Sequence, residues 1–133
     1  MNFIPESELD RNLNAIDEFI SVKINTDDPV LLKGLFADTA SLLATSTKLQ
    51  SSCRYWLETK RKSVFANQEV QYSLFKLSSS LQKQLVDSYL ANELAMYEMA
   101  QRQNAYLTHT LEALRSLLSF AKSEMETSRY SRT

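Results

Sequence analysis

The chain is short of the residues that turn or break a backbone. Its 133 residues include one glycine and two prolines, together about 2% where an ordinary globular protein has about 12%. Sandwiches, barrels and dinucleotide-binding folds need a turn residue every eight to twelve positions or so, and this chain does not supply them. Long helices need few turns, so the shortage points to an all-α protein. It also removes the enzyme classes that cradle phosphate in glycine-rich loops.

Other absences narrow the chemistry. The one cysteine, Cys53, excludes an internal disulfide and fits a reducing compartment. The one histidine, His109, excludes a His-pair metal site and the His-Glu-x-x-His pattern. Histidine never stands three positions after Glu93, Glu98, Glu112, Glu124 or Glu126, which removes the Glu-x-x-His di-metal motif of helical bundles. No run of eighteen apolar residues is present, so no membrane span is expected. The opening Met1–Asp10 has neither a basic nor an apolar signal region. A net charge of -1 gives no global field for nucleic acid or anionic lipid. The expectation is a cytoplasmic, non-enzymatic protein without cofactor, metal or catalytic residues.

What is present is helical periodicity. Apolar residues make up 44% and charged residues 23%, enough for one folded domain spanning 1–133. A first helix is expected over about 7–24, with Leu9, Leu13, Ile16 and Ile20 on one stripe. Asp28-Pro29 then reads as an N-cap followed by a proline at the first helical position, where its missing N–H costs nothing. The second helix is expected over 29–66. Its seam is Leu32, Leu35, Thr39, Leu42, Ser46, Leu49, Cys53 and Trp56, spaced alternately by three and four, the repeat that keeps one face on a partner helix. The third is expected over about 79–127, with Tyr97, Ala100, Asn104, Leu107, Leu111, Leu114, Leu118, Ala121 and Met125 in its seam. Asn104 resembles the polar seam residue that fixes register in coiled coils. Residues 67–78 read as a connection, helical or extended, and 128–133 as a frayed tail. The architecture expected is a long antiparallel hairpin with a shorter N-terminal helix along it.

Such a hairpin leaves apolar side chains over, with Tyr55, Tyr72, Phe75, Tyr89, Leu90, Met96, Met99, Tyr106, Leu117 and Phe120 as the exposed candidates. Large exposed apolar surface marks an interface, so homo-oligomerisation into a dimer or larger helical bundle is expected. The residues assigned to the oligomer seam are Leu32, Leu35, Leu42, Leu49, Trp56, Tyr97, Leu107, Leu111, Leu114 and Leu118.

Charge is uneven: residues 1–30 carry seven acids and two bases, and residues 31–66 six bases and two acids. Arg54, Lys60, Arg61 and Lys62, interleaved with Tyr55 and Trp56, form the best nucleic-acid candidate, because cations neutralise phosphates and rings stack on bases. The plainer reading is a solvated helix end whose cations suit the C-terminal dipole. Arg115, Ser119 and Lys122 share one helix face, and with His109 they complete the candidate partner patch. The leading expectation is a scaffold or adaptor acting through helix faces. The alternative is an accessory factor in nucleic-acid replication or recombination using 54–62.

The stretch Ala105–Met125 carries a histidine, then Leu114-Arg115-Ser116, then Ser119-x-x-Lys122-x-Glu124, and upstream lies Leu77-Ser78-Ser79-Ser80-Leu81-Gln82-Lys83. This C-terminal third resembles small all-helical proteins of unassigned role from bacteriophages, prophages and mobile elements. The resemblance implies such an origin and no reaction.

Overall fold

The computed structural model describes residues 2–22 and 24–131, the last two by backbone alone. The chain is all-α, and the described residues contain no strand. A 3-10 turn at Glu6–Glu8 leads into α1 (Leu9–Ser21), followed by α2 (Pro29–Ala66), α3 (Gln68–Phe75), α4 (Ser79–Tyr89) and α5 (Ala91–Ser131).

α2 starts and stops where its caps dictate. The Asp28 carboxylate accepts the Val30 N–H at 2.9 Å, with Pro29 in the first turn. At the other end Asn67 turns extended (φ -75°, ψ 122°) and its side chain accepts from Glu69 and Val70 N–H, which starts α3. α2 and α5 run antiparallel along a shared length. Asn104 donates to Ser46 Oγ at 3.3 Å and Thr47 Oγ1 at 3.2 Å. Lys60 meets Glu93 further along α2, and Phe36 meets Arg115 further back. The polar Asn104 thus finds partners on the facing helix, as a register-setting residue must.

Two cores flank the hairpin. In the first, Leu9, Leu13 and Ile16 of α1 seat in the α2–α5 crevice against Leu49, Cys53, Ala100 and Leu107, all at most 2% exposed. Burying each large aliphatic side chain contributes about 1.5–3 kcal/mol. The N-terminal segment is fastened beside it. Ile4 N–H donates to Ser52 Oγ at 2.9 Å, and Trp56 Nε1 donates to the Ile4 carbonyl at 2.8 Å. In the second core, α3 and α4 fold Val70, Leu74 and Val86 against Leu57 of α2 and Leu90.

Four expected boundaries change. α1 ends at Ser21 where Val22 turns extended (φ -79°, ψ 121°), short of residue 24. The 67–78 connection holds a helix, α3, because Val70 and Leu74 make an i,i+4 apolar pair behind the Asn67 cap. The expected single helix over 79–127 is two helices broken at Leu90 (φ -107°, ψ 10°). No glycine or proline marks that break. Leu90 is fully buried in the second core, so packing fixes the kink. α5 continues through Ser131, and the rest of the expected tail, Arg132 and Thr133, lies outside the described residues.

Candidate functional site

The seam positions close on one another within a single chain. Leu32, Leu49, Leu107 and Leu114 are at most 1% exposed, and Leu35, Leu42, Trp56, Tyr97, Leu111 and Leu118 are half-buried. These ten residues were expected to assemble an oligomer. In the structure Leu32, Leu49, Leu107 and Leu114 are buried within the one chain, whereas the half-buried Leu35 and Leu118 still line open grooves.

The basic segment is also largely occupied. Lys60 Nζ lies 2.6 Å from Glu93 Oε1, a carboxylate only 5% exposed, and Arg61 lies 2.5 Å from Glu58. Trp56 is committed to Ile4, and Tyr55 stacks on Phe3 with ring centroids 4.3 Å apart. Arg54 and Lys62 stay exposed, while the rings beside them hold the N-terminal segment, with Tyr55 still 42% exposed.

His109 stands on the surface with its side chain 79% exposed, 3.8 Å from Glu112 one turn on, and lines neither of the two apolar grooves described below. Cys53 is 2% exposed. Burial, helped by the Asp10 carboxylate, pushes its thiol from the ordinary 9.0 up to about 11, so it is a protonated apolar filler at neutral pH. Of the expected exposed residues, Tyr55, Tyr72, Phe75, Tyr89, Tyr106, Leu117 and Phe120 are exposed. Leu90 is buried in the second core, and Met96 and Met99 pack against the first.

The surface left open lies where α1 stops. Beyond Ser21 the α2–α5 crevice continues uncovered as an apolar groove of about 510 Å³, walled by Phe19, Ile20, Val22 and Ile24 and floored by Leu35, Thr39, Leu107 and Leu114. One rim belongs to a stripe on α5 at steps of four and three: Tyr106, Thr110, Ala113, Leu117 and Phe120. At 100° per residue these positions share the face that α1 covers further up. Tyr106, Leu117 and Phe120 are 49%, 42% and 63% exposed, and Leu31 on α2 is 55% exposed. The stripe contains no charged residue.

On the other side of the seam that holds Leu32 and Leu114 lies a second groove, of about 430 Å³. Pro29, Phe36, Leu118 and Met125 make its apolar surface, and Lys33, Arg115, Ser119 and Lys122 its polar rim. The structure therefore brings together Arg115, Ser119 and Lys122, the face expected from spacing on α5. It adds Lys33 from α2, which sequence reasoning missed because its neighbours here lie more than eighty residues away in the chain. The helix spacing of Lys33 and Phe36 behind the Asp28–Pro29 start was the available signal. The remaining members of the expected patch, Arg54, Lys60, Arg61, Lys62 and His109, lie elsewhere.

Among the described residues no cluster of three or more His, Cys, Asp or Glu is arranged to hold a metal ion, and no helix is long and apolar enough to cross a membrane. No protein-family model, curated protein or solved structure matches this chain. The fold and surface define an all-α hairpin protein with two unlike grooves at one end.

Proposed function

We propose that this chain is a non-enzymatic helical scaffold or adaptor, which pairs with a second copy of itself and presents helix faces to a partner protein. The observation that carries the reading is the uncharged stripe from Tyr106 to Phe120, left open beside the 510 Å³ groove. A two-fold contact sets a patch against the same patch of the second copy. A stripe without charge meets itself with no like-charge pair, and closing it over the groove would complete the helical layer that α1 begins. The resemblance to small helical phage and mobile-element proteins suggests the setting and leaves the partner open. The nucleic-acid alternative draws its support from 54–62, and the ion pairs of Lys60 and Arg61 weaken it.

Light scattering at two salt concentrations, with and without a short single-stranded DNA, tests the proposal. The expected mass is about twice the 15.3 kDa of one chain, unaffected by DNA. Leu117→Glu is expected to return the mass towards 15.3 kDa with helix content unchanged. A wild-type chain that stays at 15.3 kDa over the whole concentration range overturns self-association. A salt-sensitive gain in mass with DNA would favour the alternative.

A further inference from the structure

We infer that the groove between Lys33, Phe36, Arg115 and Lys122 is a docking site for an amphipathic helix of a partner protein, with carboxylates flanking that helix's apolar stripe. This site lies on the opposite side of the hairpin from the self-association stripe and does not depend on it.

Three observations fix the chemistry of the occupant. First, Lys33, Arg115 and Lys122 are all exposed, and none is within ion-pair distance of a carboxylate among the described residues. Asp28 is spent on the Val30 N–H, and Glu126, one turn beyond Lys122, makes no ion pair with it. The guanidinium of Arg115 instead lies over the Phe36 ring at 5.9 Å from its centroid, which leaves its donors free around the edge. Second, the surface between these cations is apolar, with Phe36 and Leu118 half-buried and Met125 63% exposed. A purely polar anion would leave that surface wet, and a purely apolar chain would leave the cations without partners. Third, the molecule shows what such a crevice accepts. On its other side the α2–α5 crevice is filled by α1, a helix that buries Leu9, Leu13 and Ile16 and leaves Asp10, Asp17 and Glu18 at the surface.

The spacing adds a specification. Arg115 and Lys122 are one heptad apart, about 10 Å along α5, with Lys33 facing them from α2. A partner helix that seats its apolar stripe in the groove meets both with acids seven residues apart. Complementary charge of this kind raises the association rate and selects orientation.

The test uses the full chain and a labelled Leu/Glu peptide of four turns. Its leucines stand at i, i+3, i+4 and i+7, and its glutamates lie seven apart on the flank. A second peptide has lysine at each glutamate. Fluorescence anisotropy should show binding of the Glu peptide that weakens with salt, and none of the Lys peptide. The exposed double variant Lys33→Glu/Lys122→Glu should weaken the Glu peptide by about tenfold or more, from two exposed ion pairs turned to repulsion. Lys62→Glu, a charge reversal of the same kind away from the groove, should leave it unchanged. Equal binding of the two peptides, wild-type affinity in the double variant, or an equal loss in Lys62→Glu would each overturn the inference. So would single-stranded DNA that competes with the Glu peptide for the same site. A chain that proves monomeric yet binds the Glu peptide removes only the self-association.

Discussion

The middle of the hairpin and its open end are built on the same two helices with the same three-four repeat, yet one is core and the other is surface. In the middle, α1 covers the crevice and polar groups lock it there. Gln103 donates to the Leu13 carbonyl and to Asp17 Oδ1, both at 2.8 Å, and Ser52 and Trp56 hold Ile4. At the open end Leu32 and Leu114 still close the seam, but Leu117, Phe120 and Met125 are 42%, 63% and 63% exposed. Two helices bury one line of side chains between them. A third is needed to bury the lines on either side, and the chain provides that third helix for only part of the length. A heptad repeat specifies that two helices meet, and leaves open whether the flanking positions will be covered.

The sharpest way to break this comparison is to cut matched leucines in the two regions. Leu13→Ala empties a position that is 2% exposed and is expected to cost about 2–5 kcal/mol. Leu117→Ala removes the same atoms from the open end and is expected to stay within about 0.5 kcal/mol in dilute solution. Chemical denaturation followed by circular dichroism measures both, and similar losses would mean that the two regions do not differ as described.

A smaller effect probes how dry the covered middle is. The Cys53 thiol is pushed up to about 11 from 9.0, first by burial and then by the Asp10 carboxylate. A folded-state pKa above the unfolded one contributes stability that is fully present below about pH 9 and is lost as pH rises towards 11. Two pH units correspond to at most about 2–3 kcal/mol. The stability gap between wild type and Cys53→Ala should therefore shift against the wild type between pH 8 and pH 10.5 or so. A gap that does not move with pH would place Cys53 in contact with water.

The smallest effect belongs to the open end. A Cβ added at Gly34 meets nothing within 4 Å, and the position is exposed inside α2. Gly34→Ala should stabilise the chain by about 0.5–1 kcal/mol through helix propensity alone. A loss of stability there would mean that a surface packs on Gly34, and its concentration dependence would say whether that surface is a second copy.

How much of this was legible in the sequence follows from how local each signal is. The start of α2 could be read because Asp28-Pro29 acts on its own neighbours. The seam could be read because it repeats. The kink at Leu90 could not, since it comes with the burial of Leu90 in a core that other helices complete. The pairing of Lys60 with Glu93 crosses 33 positions, so a cation that looked free in the chain is neutralised in the fold. The groove was half legible: the Arg115–Ser119–Lys122 face is a matter of helix arithmetic, whereas Lys33 joins it only once the hairpin has closed.

Hydrogen exchange along α5, at dilute and at high protein concentration, tests the central claim most directly. The account predicts strong protection of the α1-covered stretch around Ala100–Leu107 at both concentrations. Around Leu114–Phe120 it predicts protection that rises with concentration. Equal, concentration-independent protection over both stretches would contradict it, because the open end would then need no second copy to cover it.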